Sequence, residues 1–527
     1  MDSSAASSSS SNNSECYDVC IIGAGPAGLA CLSAIREPYS IDSMRDAAVV
    51  ERAARSIGLH KQLRICVVDP GTSWMQSWKS NFATLRIQHL RSPALAHPDM
   101  FDFHSLLVHA CQRGREDTEL YESGCWDRKD LLGLGQTQVG LWKLPSTNLF
   151  ADFCDELAAR LDHTYFQGKV VEVEEAHGNM YLVTKSDSLG TITYTFARNI
   201  VVATGMAGGQ IVPRGLTHCP KNVLWNEPEA FPTQPDRPGI DTQRILVVGG
   251  GLTAVQTALR VIQDGHQCVL CSRRPLHEKH FDIPVEWFDL RKTNNFLSEF
   301  YHTDVKSRLN MLKKARNGGS VPSMYMNLLD KHKDRLTCCV GEAEYLKDAA
   351  QEGTSRRVTV VINGSSHIFD KVILACGINP DCSAHPVMEK MLSKWPIATH
   401  GGFPDVTPDL QWHASRTNIF VVGAMAALQV GPDAGNLMGM RRAARLVANA
   451  LDCHGWLRER ALTNPFLALW DDSESESDND SDSKDLCICE GQCDGSENTG
   501  TEQDSQRECD TCASVDDEAS CSDLTCN

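Results

Sequence analysis

Two short stretches of the chain carry glycines at a spacing that suits phosphate chemistry. Residues 19–35 read VCIIGAGPAGLACLSAI, and residues 244–260 read RILVVGGGLTAVQTALR. Each begins with an apolar run that fits a buried parallel strand, turns on glycine and continues as a helix. In the first, Gly23 allows the tight turn, Gly25 lets the backbone approach a pyrophosphate, and Gly28 lets helix and strand pack closely, with Pro26 and Ala27 between them. In the second, Gly249, Gly251, Leu252, Thr253 and Ala254 fit the variant with alanine in the third place. A helix N-terminus has N–H groups without intrahelical acceptors, and with the helix dipole they favour an anion. Both stretches are therefore expected to be dinucleotide cradles.

The strand after each cradle distinguishes the two. The strand LRICVVDP ends in Asp69, whose carboxylate suits ribose hydroxyls. Asp69 lies 41 residues after Gly28, against about 20 in the usual pattern, so residues 37–62 read as an inserted or lengthened helix. After the second cradle, the strand CVLCSRRPL ends in Ser272, Arg273 and Arg274, where a site for NAD carries an acid. Guanidinium groups match the 2′-phosphate of NADP in charge and in planar fork geometry, so NADPH is expected over NADH. Two cradles in one body suit a flavoprotein that holds FAD in the first and docks NADPH in the second.

Other elements must position these sites. Residues 147–161, TNLFADFCDELAARL, have the apolar spacing of an amphipathic helix. GKVVEVEEAHGNMYLVTKS and GTITYTFARNIVVATG read as antiparallel strands that close at Thr204 and Gly205. Residues 206–243 are rich in Pro and Gly and read as a linker. A helical region follows from about 285 to 333, then strands at RVTVVING and KVILACG. Residues 417–451 give a last strand, a glycine-bearing turn and a closing helix. The expected fold is α/β, with two Rossmann-like dinucleotide-binding domains, the second inserted in the first. The FAD domain takes 15–205 and 371–470, and the NADPH domain takes 206–370. The Ser-rich residues 1–14 and the acidic, Cys-containing residues 471–527 are expected to be disordered tails.

Charge and cysteine usage narrow the class. Of 68 acidic and 50 basic residues, 19 and two fall in 471–527, leaving 49 against 48 in the rest. The near-neutral body argues against nonspecific nucleic-acid binding. No apolar run approaches the ~20 residues of a membrane span, and no basic stretch followed by an apolar one opens the chain. The 22 cysteines then read as reduced thiols in a cytoplasmic setting. The seven in 471–527 are irregularly spaced, and no metal site is expected. Cys268 and Cys271 form a C-x-x-C within a predicted strand, where side chains three apart point to opposite faces, which argues against a redox dithiol.

Several segments together carry a resemblance. VCIIGAGPAGLA, WKSNFATLRIQHLRSPALAHPDMFDFHSLL, LPSTNLFADFCDEL, VVATG and the FDIPVEWFD region, with ILACGINP at 373–380, resemble the two-dinucleotide-binding-domain flavoproteins. Within them the chain is similar to the flavin-dependent N-hydroxylating monooxygenases, the lysine and ornithine hydroxylase group, over most of 15–455. Cys376 and Ile378 stand where that family's ATGY signature has Thr and Tyr. The resemblance implies flavin-site roles for Trp74, Trp78, Arg86 and Gln88, with Arg86 where the family has a flavin-contacting Gln. It implies that Arg91 replaces a Lys that binds the substrate carboxylate. Gly423 begins the late flavin motif, followed by Ala424 where many such proteins have Asp. The turn GPDAGN then opens the last helix at Asn436 and Leu437, whose N-terminus would stabilise charge on the reduced flavin ring. Asp433 and Asn436 also suit capping of that helix.

The implied reaction starts with NADPH reducing FAD. Reduced FAD captures O2 as a C4a-(hydro)peroxide, bound NADP+ keeps water out, and a small amine or amino-acid nucleophile takes the distal oxygen. No protein nucleophile is required. A simple NADPH oxidoreductase is one alternative. Another is a flavoprotein-like regulatory or interaction protein, since the chain is also similar to the oxidative-stress-induced growth inhibitor proteins.

Overall fold

The structure is a computed structural model that describes residues 16–36, 63–122, 141–177, 180–206, 208–219, 223–224, 242–287, 289, 292–348, 357–413 and 417–453. The Ser-rich start, the 37–62 segment and the acidic tail lie outside the described residues.

Strands β1 (Cys16–Ile22), β2 (Ile65–Asp69), β3 (Thr164–Gln167), β4 (Lys169–Ala176), β5 (Met180–Ser186) and β6 (Ile192–Val202) form the first sheet, in the order β3-β2-β1-β6-β5-β4. β1, β2, β3 and β6 are parallel neighbours, while β4 to β6 make an antiparallel meander. This mixture explains the sequence pattern. β1 lies inside the parallel part, and Cys20, Ile21 and Ile22 are all buried. β5 has one face covered, and its residues alternate in burial along its length. Helix α1 (Pro26–Arg36) follows β1 and is buried along nearly its whole length. Helix α2 (Gln76–Thr84) follows β2. Helix α3 (Thr147–Arg160) is capped by Ser146, whose side chain accepts a hydrogen bond from the Leu149 N–H at 2.9 Å.

The second sheet is wholly parallel. It uses β7 (Val223–Leu224), β8 (Arg244–Val248), β9 (Gln267–Ser272) and β10 (Leu336–Val340). Three antiparallel strands, β11 (Ala343–Asp348), β12 (Val358–Ile362) and β13 (Ser365–Phe369), lead to its fifth member, β14 (Lys371–Leu374), and the order is β10-β9-β8-β14-β7. Helix α4 (Leu252–Gln263) connects β8 to β9. Helices α5 (Thr293–Tyr301), α6 (Val305–Arg316) and α7 (Ser323–Lys331) fill the expected helical region.

Two expected boundaries change. The inserted domain does not stop at 370, because β14 pairs with β8 in the second sheet. Nor are residues 206–243 wholly linker, because β7 pairs with β14. Both strands take their places from partners distant in sequence, which local pattern does not encode. The insertion itself is plain in the strand pairing. The chain leaves the first sheet at the end of β6 and re-enters it beside the same residues through β15 (Ile419–Val421), with Ile200–Val202 pairing Ile419–Val421.

The closing helix α8 (Leu437–Cys453) packs on α1. Arg441, buried in α8, ties it to residues 97–103. Its Nη1 donates to the His97 carbonyl at 3.0 Å and to the Asp99 carbonyl, and lies 3.2 Å from His97 Nδ1. His97 is fully buried, and its Nε2 faces the Phe103 carbonyl at 3.1 Å. The neutral ring with its proton on Nε2 satisfies both neighbours. A second proton on Nδ1 would face the guanidinium. Burial, then the Arg441 charge, accordingly push the imidazole down to about 3. An unfolded chain takes up this proton near 6.5, so His97 contributes stability above that pH and loses it as the pH falls towards the folded value, by up to ~1.4 kcal/mol per pH unit. Denaturant unfolding at pH 7, 6 and 5 should show this loss, and His97→Gln should flatten the slope. An unchanged slope in the variant would assign the acid sensitivity elsewhere.

Candidate functional site

The first cradle forms where β1, β2 and β6 end side by side. Gly23 has φ +112°, and a Cβ there would lie 2.6 Å from the Ala203 carbonyl oxygen. A Cβ on Gly28 would lie 2.1 Å from the Gly23 carbonyl oxygen. At Gly25 nothing stands within 4 Å of the same position, so the turn is open on the side a phosphate would use. Asp69 does more than the sequence suggests. Its Oδ2 accepts from the Ala24 N–H at 2.8 Å and its Oδ1 from the Gly71 N–H at 2.7 Å, so it shapes the glycine turn. Each carboxylate oxygen still has acceptor capacity for a hydroxyl. Thr204, beyond β6, has a buried hydroxyl without a hydrogen-bond partner in the protein. Gly205 beside it takes φ +68°, with open space about it. Gly423, at φ +76°, brings the late turn against Ala27, with 3.7 Å from its Cβ position to the Ala27 methyl. The open backbone, the orphaned hydroxyl and the start of α1 fit a dinucleotide phosphate.

The second cradle repeats the arrangement at the ends of β8, β9 and β14. A Cβ on Gly249 would lie 2.3 Å from the Ala375 carbonyl oxygen, and the Gly249 N–H donates to the Cys271 carbonyl at 2.9 Å. α4 begins at Gly251 with no side-chain cap, so its first N–H groups are available to an anion. Ala254 is fully buried, which is the close packing the third position serves. Arg273 and Arg274 come directly after β9 and are exposed. The Ser272 hydroxyl donates to the Arg274 carbonyl at 2.7 Å. The segment at 318–319 approaches the turn closely: a Cβ on Gly319 would lie 2.7 Å from the Gly251 Cα, and one on Gly318 would lie 2.5 Å from Arg274 Nη2.

Two cavities lie at the starts of α4 and α8, and Arg91 borders both. One, of about 290 Å³, reaches Leu252 and Thr253 at the start of α4 and is also lined by Phe82, Ile87 and His280. The other, of about 150 Å³, reaches Asn436 and Leu437 at the start of α8, with Pro93, Phe281 and Asp282. Nothing in the residues around His280 signals its place here. Its Nε2 is buried without a partner, and burial, then the Arg91 charge, lower its imidazole to about 4. At neutral pH it is an uncharged ring facing an otherwise largely apolar cavity.

Several expected site residues are engaged elsewhere. Arg86, at φ +50°, pairs with Asp264 at 2.9 Å; Asp264 is fully buried at the end of α4 and also holds Arg260 at 2.8 Å. Arg86 thus ties the first domain to the second. Arg91 Nε donates to the His280 carbonyl at 2.5 Å, and its Nη2 to the Lys279 carbonyl at 2.9 Å and the Ser320 hydroxyl at 2.8 Å. Trp74 is buried and donates to His163 Nε2 at 2.8 Å. Trp78 stacks on Phe82 with centroids 4.0 Å apart. Trp74 is part of the core, and Trp78 is partly buried against it. Gln88 is exposed, and its carbonyl accepts from the Thr147 N–H at 2.9 Å. The Asp433 and Asn436 side chains have partners beyond the first turn of α8. Asp433 pairs with Arg442, and Asn436 Nδ2 donates to Asp282 Oδ1 at 3.0 Å. Arg316 joins this cluster, donating to the Pro432 carbonyl at 2.8 Å. Nothing local in GPDAGN signals these partners, which come from α6 and the 279–282 segment. Cys268 and Cys271 lie in apolar clusters on opposite faces of the second sheet.

Known proteins share this outline. A search of curated sequences returns no match. Residues 143–331 match the family profile of L-lysine 6-monooxygenase/L-ornithine 5-monooxygenase. The fold is similar to that of the reduced form of ornithine hydroxylase from Pseudomonas aeruginosa (TM-score 0.60, 18% identity, 84% of this chain and 100% of that one). It is similar to ornithine N-hydroxylase from Kutzneria sp. 744 with reduced FAD, NADP+ and L-ornithine (0.59, 17%, 84% and 100%). It is also similar to the FAD-bound cadaverine monooxygenase of the desferrioxamine pathway from Erwinia amylovora (0.57, 16%, 83% and 94%). The resemblance read from the sequence therefore holds, and the chain has the fold of the two-dinucleotide-binding-domain N-hydroxylating flavin monooxygenases, matching their family profile through its middle third.

Proposed function

We propose that the protein is an NADPH-dependent flavin monooxygenase that oxygenates a small nucleophilic substrate of the amine or amino-acid type. The observation that carries this reading is the pair of cradles in one body, the first open over Gly25 and the second followed by Arg273 and Arg274, in a chain that matches the lysine/ornithine monooxygenase profile. FAD and NADPH are the cofactors. Similar proteins were solved with FAD, and one with NADP+ and L-ornithine together.

When bound, FAD supplies the electron transfer and oxygen activation, so the protein's task is to hold, orient and shield. Gly23, Gly25 and Gly28 cradle the FAD pyrophosphate, Asp69 takes ribose hydroxyls and the orphaned Thr204 hydroxyl gains a partner. Asn436 and Leu437 present the start of α8 to the flavin ring. Gly249, Gly251 and Thr253 hold the NADPH pyrophosphate. Arg91 borders both cavities and neutral His280 lines the one at α4; there they would help keep water from the bound cofactors. Arg91 is the residue nearest a substrate-binding role; its hydrogen bonds to the 279–280 backbone and Ser320 make it a rigid one.

Arg273 and Arg274 supply the test. Each charge-assisted contact with the 2′-phosphate is worth ~1.5–3 kcal/mol, so the Ala-Ala variant should raise KM for NADPH roughly 10- to 100-fold and leave KM for NADH nearly unchanged. Equal effects on the two cofactors would contradict the assignment.

A further inference from the structure

Two pairs of cysteines face each other across adjacent parallel strands. Cys20 of β1 is in register with Cys66 of β2, and Cys271 of β9 is in register with Cys339 of β10. Residues in direct register on neighbouring strands are about 4.8 Å apart, inside the Cα range a disulfide spans. In each pair the two thiols also interact with one another. Their settings differ. Cys20 and Cys66 are both completely buried. Cys271 is buried, but Cys339 is half-exposed and lies on the edge strand of its sheet, which can shift to meet a partner. The neighbouring Cys271 thiol lowers the Cys339 thiol below its ordinary value, to about 7, which favours the reactive thiolate. The Cys66 thiol, in contrast, is pushed well up by burial.

We propose that Cys271 and Cys339 are a peroxide-sensitive thiol pair, oxidised to a disulfide that weakens dinucleotide binding at the second cradle. The Cys339 thiolate attacks hydrogen peroxide; the O–O bond breaks, a sulfenic acid forms, and the hydroxide released takes up the proton that Cys339 had lost to solvent and leaves as water. The Cys271 sulfur then attacks the Cys339 sulfur; the S–O bond breaks, the S–S bond forms, and the Cys271 proton departs with the second water. Two thiols lose two electrons, and the peroxide is reduced to two waters. The coupling to the cradle is short. The Cys271 carbonyl holds the Gly249 N–H, its thiol lies 3.4 Å from the Gly341 carbonyl, and Ser272, Arg273 and Arg274 come next in the chain. Drawing Cys271 towards β10 disturbs both the glycine turn and the two arginines. The effect on binding rests on the second cradle being the NADPH site, whereas disulfide formation does not.

The test uses the full-length reduced protein, titrated with hydrogen peroxide, alkylated and mapped as non-reduced peptides, with the NADPH dissociation constant followed by intrinsic fluorescence. The expected result is a Cys271–Cys339 cross-link at peroxide levels that leave Cys20 and Cys66 unlinked. The dissociation constant should rise roughly tenfold, the equivalent of one lost charge-assisted hydrogen bond, and dithiothreitol should restore it. Cys339→Ser should abolish both changes, and Cys271→Ser should leave a Cys339 sulfenic acid that a cyclic diketone traps. Unlinked Cys339, Cys20–Cys66 linkage at the same dose, or a cross-link without loss of affinity would overturn the proposal. Reduced protein that binds no NADPH would overturn the cradle reading, and the peptide map would still decide the thiol pair.

Discussion

Gly28→Ala should leave the protein without flavin, while Gly25→Ala should leave it folded but weak in flavin binding. The contrast arises from the atoms each added methyl meets. At position 28 it would lie 2.1 Å from the Gly23 carbonyl oxygen, 3.2 Å from the carbonyl carbon and 3.4 Å from an Ile21 methyl. Two of these are backbone atoms, which cannot swing aside, so α1 must move off β1 and the turn must open. Overpacking of this kind costs ~1–3 kcal/mol, and it deforms the cradle that the sheet edge and α1 build together. At position 25 the methyl meets nothing of the protein within 4 Å. The fold should keep its thermal midpoint, and the methyl intrudes only where a pyrophosphate approaches. Visible flavin absorbance per protein, together with the melting temperature, separates the two. A Gly25→Ala protein with undiminished FAD affinity would remove the first cradle as the flavin site.

Arg442→Ala should be among the most destabilising single changes at the α8 end of the site. Arg442 Nη1 and Nη2 meet Asp433 Oδ1 and Oδ2 at 2.8 and 2.9 Å, a planar fork on a carboxylate that is 1% exposed. Arg442 also donates to the Val430 carbonyl at 2.7 Å, so it holds the GPDAGN turn at its start and in its middle. Removing one partner of a buried pair leaves an uncompensated charge and costs ~3–5 kcal/mol. Burial already raises the Asp433 carboxyl above its ordinary value, with Arg442 opposing. Without Arg442 the rise is larger. A raised carboxyl favours the protonated form, so the variant's penalty should be smaller at pH 5 than at pH 8, growing as the pH rises above the ordinary carboxylate range. Denaturant melts at the two pH values measure this. A variant as stable as the parent would show that the turn does not depend on the pair.

The cradles were legible in the sequence because their physics is local. Gly23 and Gly249 need positive φ, Gly28 needs to lie under a carbonyl, and the apolar runs before them need two buried faces. The Cys268/Cys271 alternation was legible for the same reason. Features fixed by pairing between distant segments escaped. The place of β14 escaped because β8 holds it, and β7 was hidden because, among the described residues, its pairing is with β14. Arg86 and Asp264 meet across two domains, and Asn436 finds Asp282 rather than a helix N–H. The hydrogen bonds that Arg91 and Trp74 make had no signature in the residues around them.

The central claim, oxygen transfer from O2 to a small amine under NADPH, is tested most directly by isotope. Full-length protein carrying FAD is given NADPH and ¹⁸O2 with a panel of primary amines and amino acids, ornithine, lysine and cadaverine included, and the products are weighed by mass spectrometry. The expected product is heavier than its substrate by one oxygen atom, that atom is ¹⁸O, and product accumulates in step with NADPH consumed. NADPH consumption that yields only peroxide across the panel, or oxygenated product whose oxygen comes from water, would contradict the account.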